Sequence, residues 1–455
     1  MKNTNTIDPR TRRLIEGPIA STLLKMALPS MLIMIAQTSA GLIETYFVGK
    51  LGTDALAAMS LVFPLIMFMQ MTSAGAMGGG IASAIARALG SRNTDRANAL
   101  VFHAIVICLA FGLLFMLSVL IWGEWLYQKM GGSGNSLAYA LTYSNWVFGG
   151  AIIVWIFNCL SAVIRGTGNM SLPATITCGG TLILIPLSPA LIFGWGPLPA
   201  LGIAGGAIAL LLYYIGGSIA FVLYLLSAKS LLKPRFKSLQ FDKVLFWDIL
   251  RIGLVATVST IATNLTIGTA TAMVGHFGAA SIAGYGTGSR IEYVLVPLVF
   301  GFGGPLVAMV GTCIGANQYD RAVKVTWIGA AMATAMTEII GLAAALYPEF
   351  WLKLFDQDPA MIEVGTQYLQ IVGPFYGFFG LALVLYFASQ GAGRLFWPVM
   401  GNIVRLVIAI GGSLGAMAAD WGLIGVFWAQ AIALFSYGMF NASAIALGAW
   451  GKRTK

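Results

Sequence analysis

Gly90-Ser91-Arg92-Asn93-Thr94-Asp95-Arg96-Ala97 and Gly315-Ala316-Asn317-Gln318-Tyr319-Asp320-Arg321-Ala322 are one polar loop written twice, about 225 residues apart. The same offset lays Leu23-Leu24-Lys25-Met26-Ala27-Leu28 over Ile249-Leu250-Arg251-Ile252-Gly253-Leu254, and Val48-Gly49-Lys50-Leu51-Gly52 over Val274-Gly275-His276-Phe277-Gly278. Further along, Arg165-Gly166-Thr167-Gly168 with Pro173 matches Gln390-Gly391-Ala392-Gly393 with Pro398, and Gly202-Ile203-Ala204-Gly205 matches Gly422-Leu423-Ile424-Gly425. Collinear matches of this length mean that the second half of the chain repeats the first.

Between these markers the chain is apolar. Of its 455 residues 58% are hydrophobic and 9% are Asp, Glu, Lys or Arg, against about 25% charged in soluble domains. No arrangement of soluble cores gives such a chain a polar surface, which sets aside a soluble enzyme, a nucleic-acid binder and a disordered scaffold. Crossing a bilayer takes about 20 apolar residues. Twelve runs qualify, near residues 23-48, 55-80, 98-122, 138-163, 173-195, 201-226, 247-273, 281-308, 324-347, 365-390, 398-418 and 422-448. The long first, second and eighth are expected to tilt or kink. The fold expected is therefore an all-α integral membrane protein: twelve transmembrane helices in two parallel six-helix repeats. Six is even, so both halves enter from one side and are related by an axis along the membrane normal. The expected division is 1-226, a linker at 227-246, and 247-455.

The net charge of +10 suggests an acidic partner until the basic residues are placed. With twelve crossings, 22 of the 26 Lys and Arg fall on the side of the termini; Lys50, Lys129 and Lys353 fall on the other, and Arg290 lies inside a span. By the positive-inside rule both termini are cytoplasmic, in a cell membrane, and no nucleic acid is needed to explain the charge. Residues 1-22 are polar and basic, and the apolar run after them is too long for a cleaved signal peptide, so it is expected to stay as the first span. Cys108, Cys159, Cys178 and Cys313, with His103 and His276, have no metal-ligand spacing, so neither metal nor cofactor is expected.

The glycine pairs around Lys50, the two repeated loops, Arg165-Gly166-Thr167-Gly168, Arg290-Ile291-Glu292 and Leu201-Gly202-Ile203-Ala204-Gly205 resemble the multidrug and toxic compound extrusion (MATE) family over nearly the whole chain. The resemblance implies two lobes in a V, alternating access, and export of amphipathic, often cationic compounds against inward protons or sodium. It is closer to the DinF-like than to the NorM-like branch. The NorM-like acids of the seventh and tenth helices are missing: the seventh offers Thr257, Thr260, Thr263, Asn264 and Thr266. At the DinF-like positions of the fifth helix stand Leu184 and Ser188.

Ionisable groups inside a bilayer cost about 2.5 to 3.5 kcal/mol each on insertion scales and so mark candidate sites. They are Glu44, Arg290, Glu292, Glu338 and, closer to the end of its helix, Arg405. Glu44 shares a helical stripe with Ser30, Met34, Gln37 and Gly41. A carboxylate there can take a proton from outside and release it when the cavity hydrates or a cation enters. It resembles the acid the family carries at this point of its first helix, with Glu for Asp. The competing reading is an interfacial Glu that reaches the outer surface or pairs with Lys50. Glu44 and Gln37 are thus the expected coupling residues. Glu292, on a face with Tyr285 and Ser289, is read either as a receptor for a cation or proton or as half of an ion pair; Arg290 points elsewhere. Glu338 matches no motif and is expected either to pair locally or to lie at the end of a shorter helix. Methionines crowd the second span at 59, 67, 69, 71 and 77; packing accounts for most such stripes, and Met34, Met67 and Met71 join Glu292, Arg290, Tyr285 and Asn264 in the expected cavity. Arg92, Asp95, Arg96, Asp320 and Arg321 are expected to cap helices and gate the inner end.

The function expected is a proton- or sodium-coupled antiporter of small amphipathic molecules, working in the lipid bilayer as a monomer. The alternative is a lipid-linked oligosaccharide flippase of the same superfamily, which favours a larger and more basic cavity. A channel or receptor would need a pore-lining ring or a soluble ligand-binding region, and a membrane enzyme a cluster of His, Asp or Cys at one depth. The sequence has neither.

Overall fold

A computed structural model describes residues 8–196, 198–234, 241–355 and 357–450. Lys2, Arg235, Lys237, Lys452, Arg453 and Lys455, counted above with the basic side, lie outside them, as does the side chain of Tyr293. Everything regular among the described residues is helical. Eleven helical segments are long and apolar enough to cross a bilayer, and a bent pair, Gly134–Gly149 with Ala151–Gly166, makes twelve when taken as one span.

The spans are Ile19–Gly49, Thr53–Gly90, Thr94–Lys129, that bent pair, Ser171–Phe193 and Ile203–Leu226 in the first lobe. Lys243–Gly275, Ala279–Gly315, Tyr319–Leu346, Pro359–Ala392, Phe396–Ala418 and Gly422–Ala446 form the second. Several run past the expected ends. The third has 36 residues, about 54 Å of helix against a hydrocarbon core of about 30 Å. A short helix, Pro9–Glu16, with Asp8 as its N-cap, precedes the first span.

Breaks fall where the backbone loses a helical bond or changes register. The first span carries Pro29 without interruption. The second passes through a π-helical turn, Met71–Met77, a form found often at functional sites. The fourth bends by 47° at Gly150. The eighth is interrupted at Arg290 and Ile291, and the tenth at Gly373–Phe375, where Pro374 removes a donor. At that last break Glu338 of the ninth span accepts from the backbone N–H of Gly377 at 2.8 Å. A carboxylate at a helix start both fills an orphan donor and complements the dipole. This is the local pairing expected of Glu338.

The repeat is visible in backbone angles. Arg92 and Asn317 both have positive φ, 60° and 57°, where each loop turns out of its helix. The two lobes also meet symmetrically. Gly90 lies against the Thr312 carbonyl and Gly315 against that of Arg87, so the contact maps onto itself when the halves are exchanged, as a two-fold interface requires. A Cβ at either position would collide with backbone.

Among the described residues, hydrogen bonds and close glycine approaches between the lobes run from the face bearing the termini to mid-depth. Ser83 Oγ donates to the Gly391 carbonyl at 3.0 Å, Asp248 of the seventh span receives Arg87 and Arg96, and Gly301 approaches Met31. Arg96 thus makes an ion pair between the lobes, and its acidic partner Asp248 was not anticipated. Arg321 donates instead to the carbonyls of Leu14 and Gly17.

Candidate functional site

The first lobe encloses a polar network built from four spans. Glu44 is 2% exposed, and neither carboxylate oxygen has a hydrogen-bond partner. Gly206 of the sixth span makes room for it: a Cβ there would lie 2.5 Å from Oε1. Tyr143 of the fourth span and Tyr214 of the sixth are the hydroxyls in electrostatic reach. From Tyr214 the chain of bonds continues. Gln70 Nε2 donates to its hydroxyl, and Asn158 Nδ2 donates to Gln70 Oε1 at 3.0 Å and to Ser73 Oγ at 2.9 Å. Ser73 sits on the π-helical turn and donates to the Met69 carbonyl at 2.7 Å. Buried networks of this kind hold their members in one arrangement. The carboxylate at the end of this one is left without a bond.

Lys50 does not pair with Glu44. Its ammonium lies over the Tyr46 ring, 4.6 Å from the centroid, so the interfacial reading fails. The stripe also divides. Glu44 faces the interior of the lobe and Ser30 lies against Gly304 of the second lobe, whereas Met34, Gln37 and Gly41 are half-buried, and no bond joins Gln37 to Glu44. Gln37 and Glu44 are seven positions apart, about 10 Å along the helix.

In the second lobe the structure separates Arg290 from Glu292 across the interruption of the eighth span. Arg290 is exposed and stacks at 5.4 Å on Phe355, beyond the ninth span; it does not join the tyrosine cluster, which corrects its place in the expected cavity. Glu292 turns inward toward Arg405 and Tyr285, Tyr368 and Tyr376. Tyr368 and Tyr376 share a hydroxyl–hydroxyl bond of 3.2 Å, and the Tyr285 and Tyr368 rings meet edge-on at 5.1 Å. Arg405 is the second correction. Grouped above with the charges of the terminus side, it is 6% exposed and lies well inside its span, between the rings of Phe379 and Tyr437.

Met67 and Met71 are exposed one turn apart, while Met59, Met69 and Met77 are core. Asn264 brings the lobes together at this depth: its Nδ2 lies 3.9 Å from Met71 Sδ and donates to the Thr260 carbonyl at 2.8 Å. Thr257, Thr260, Thr263 and Thr266 all turn their hydroxyls onto their own helix. Asn402 of the eleventh span bonds across to Ser259 and Thr263, an interhelical use of polar side chains common in membrane proteins. Sequence patterning missed Tyr143, Gln70, Asn158 and Tyr214. Their one signal is that each is polar within an apolar span.

The MatE family model matches this chain twice, over residues 29–190 and 256–414, once in each lobe. The chain belongs to the MatE family. Among its curated relatives, an FAD transporter of Shewanella oneidensis is 27% identical over 397 residues, covering 87% of each chain. A probable multidrug resistance protein of Bacillus subtilis, YoeA, is 26% identical over 383 residues, 83% of this chain and 82% of that one. Among solved structures, a MOP superfamily transporter from Pyrococcus furiosus superposes with a TM-score of 0.87 at 22% identity, over 98% of this chain and all of that one. A MatE chain with these spans is a multi-span membrane transporter.

Proposed function

We propose that this MatE chain is a secondary antiporter that exports amphipathic small molecules in exchange for protons or sodium, with Glu44 as the coupling group. One observation carries the reading. Glu44 is a carboxylate sealed into a lobe interior with neither oxygen hydrogen-bonded, and such a group must be neutralised by a proton or a cation to rest there. Its counterpart position in the second lobe is Ala270, so coupling belongs to the first lobe. The working units are 1-226 and 247-455, joined at 227-246 and rocking about the shared interface. The protein acts as a monomer in the cytoplasmic membrane with both termini inside, takes no cofactor, and stands nearer the DinF-like branch, since the acids of the NorM-like seventh and tenth helices are absent.

Names among the relatives support small-molecule export, and one of them, an FAD transporter, points to anionic cargo. The flippase alternative needs a basic cavity, and among the described residues Arg405 is the arginine the second lobe turns inward at depth. Everted vesicles given ethidium on the outside, under a proton gradient alone or a sodium gradient alone, test the proposal by its uptake. Transport under one gradient that is abolished by Glu44→Gln is expected; full gradient-driven transport by Glu44→Gln removes Glu44 from the mechanism.

A further inference from the structure

Other buried or half-buried arginines of this protein have oxygen partners. Arg87 binds Asp248 at 2.7 Å, Arg321 binds two backbone carbonyls, and Arg165 reaches the Ala74 carbonyl at 3.4 Å. Arg405 differs. It is the tenth residue of Phe396–Ala418, about 14 Å of helix from the nearer end, and its contacts are two ring faces, Phe379 at 5.9 Å and Tyr437 at 5.7 Å. No hydrogen bond or ion pair within 4.0 Å is made by its guanidinium among the described residues. Nor are its nitrogens sealed among the buried unpartnered atoms, so they keep some accessible surface. Glu292 stands in electrostatic reach yet forms no ion pair with it, and its carboxylate is likewise unsealed.

A guanidinium carries five N–H donors in a planar fork. Ring stacking offsets part of the cost of holding one in a membrane, about 0.5 to 2 kcal/mol, and leaves those donors free. An oxyanion satisfies two of them at once. On the side where Glu292 lies, the rings of Tyr285, Tyr368 and Phe427 pack against one another at 5.1, 6.4 and 5.3 Å between centroids and are buried, so they add bulk and no further charge beside the guanidinium. We infer that Arg405 is an oxyanion-binding residue, and that the second lobe receives small compounds bearing a carboxylate or a phosphate. Glu292 then sets selectivity by disfavouring a second negative charge. This deepens the export reading by naming a substrate class, and rests on it for the direction of movement alone, because binding is measured separately.

The test is equilibrium binding to the purified full-length protein in nanodiscs, with 2-naphthoate, 4-methylumbelliferyl phosphate and the cation ethidium as probes. Wild type is expected to bind at least one of the two anions below about 1 mM, and the tighter of the two identifies carboxylate or phosphate as the preferred head. Arg405→Gln should weaken that anion at least about tenfold while ethidium changes less than about twofold, with Arg405→Lys intermediate because it keeps charge and loses the fork. Glu292→Gln, which leaves Arg405 intact should the arginine variants not fold, should tighten the anion about threefold or more. Three results overturn the inference: no anion binding by wild type that binds ethidium, equal losses of anion and cation in Arg405→Gln, or weaker anion binding in Glu292→Gln. Anion binding that follows these expectations in a protein unable to export under any gradient would leave this inference standing and remove the export reading.

Discussion

Asp248 on the seventh span accepts from Arg87 on the second at 2.7 Å and from Arg96 on the third at 3.1 Å, so one carboxylate fastens the two lobes at the face bearing the termini. Arg87 and Asp248 are 17% and 19% exposed, where charge-assisted bonds are worth more than at an open surface. Asp248→Asn keeps the shape and removes the charge. We expect the closed face to loosen by about 1 to 3 kcal/mol, a several-fold or greater shift in the facing equilibrium. Spin labels on Ser91→Cys and Tyr319→Cys, in the two repeated loops, should then show a longer-distance population that is minor in the parent. An unchanged distance distribution would mean that glycine packing alone holds this face.

Gly206 is required by Glu44. A methyl at 206 would occupy the place of Oε1, and the carboxylate cannot move away without breaking its approach to Tyr143 and Tyr214. Gly206→Ala is therefore expected to cut gradient-driven transport about tenfold or more, while Gly216→Ala, whose added methyl meets nothing within 4 Å, leaves it unchanged. Comparable transport by both variants would separate the position of Glu44 from coupling.

Glu338 shows why a half-buried carboxylate inside a span is not by itself a coupling site. Its Oε2 is committed to the Gly377 N–H, the start of the second half of the tenth span. Glu338→Ala should destabilise the protein by about 1 kcal/mol, the worth of a helix cap, and Glu338→Gln by less, since an amide oxygen still accepts. The lowered thermal midpoint of Glu338→Ala should come with unchanged ion dependence of transport. A changed ion dependence would give Glu338 a part in coupling.

These contrasts define what was legible in the sequence. Spans, repeat and lobes were readable because a bilayer demands long apolar runs and because duplicated glycines sit at duplicated close contacts. Glu44 was readable because a lone acid in an apolar run has few structural uses. Its neighbours were not: Tyr143, Gln70, Asn158 and Tyr214 come from three spans, and nothing in linear spacing says that their depths coincide. Arg405 was misread for a similar reason. Nine residues from a helix start looks near an interface on a line, but in the folded lobe that place is enclosed by the tenth and twelfth spans. Arg290 erred in the opposite sense, since an interruption of the eighth span turns it outward to Phe355.

His103 holds the linker to the third span. Its Nδ1 contacts the Ala99 carbonyl at 2.8 Å, so that nitrogen carries the proton, and its Nε2 accepts from the backbone N–H of Asp242 at 2.9 Å. The Asn98 carboxamide receives the Lys233 N–H at 2.8 Å on the other side of the linker. An imidazole that accepts must be neutral, and a charged one would present a donor to a donor. His103→Phe keeps the bulk that packs on Phe241 and removes the acceptor. It should raise amide exchange at Asp242 and Lys243 by about five- to tenfold, the loss of about 1 kcal/mol, with exchange at Lys233 unchanged in that variant and raised in Asn98→Ala. Equal exchange at both ends in either single variant would mean that the linker docks as one cooperative unit and that neither bond acts alone.

The N-terminal helix offers the sharpest test of how the terminus face is closed. Arg10 donates to the Tyr224 hydroxyl of the first lobe at 3.1 Å, while the Leu14 carbonyl receives Arg321 of the second at 3.3 Å. The Leu14 side chain is 4% exposed and lies against Gly168. Pro9–Glu16 thus bridges the lobes through different atoms from the Asp248 pairs. Leu14→Ala removes buried methyl groups, worth about 2 to 5 kcal/mol in a packed core, and should populate the opened face in the same spin-label measurement. Combined with Asp248→Asn, the two shifts should add within about 0.5 kcal/mol if helix and ion pairs act independently. A double variant no more open than either single one would show that both belong to one latch, released in a single step.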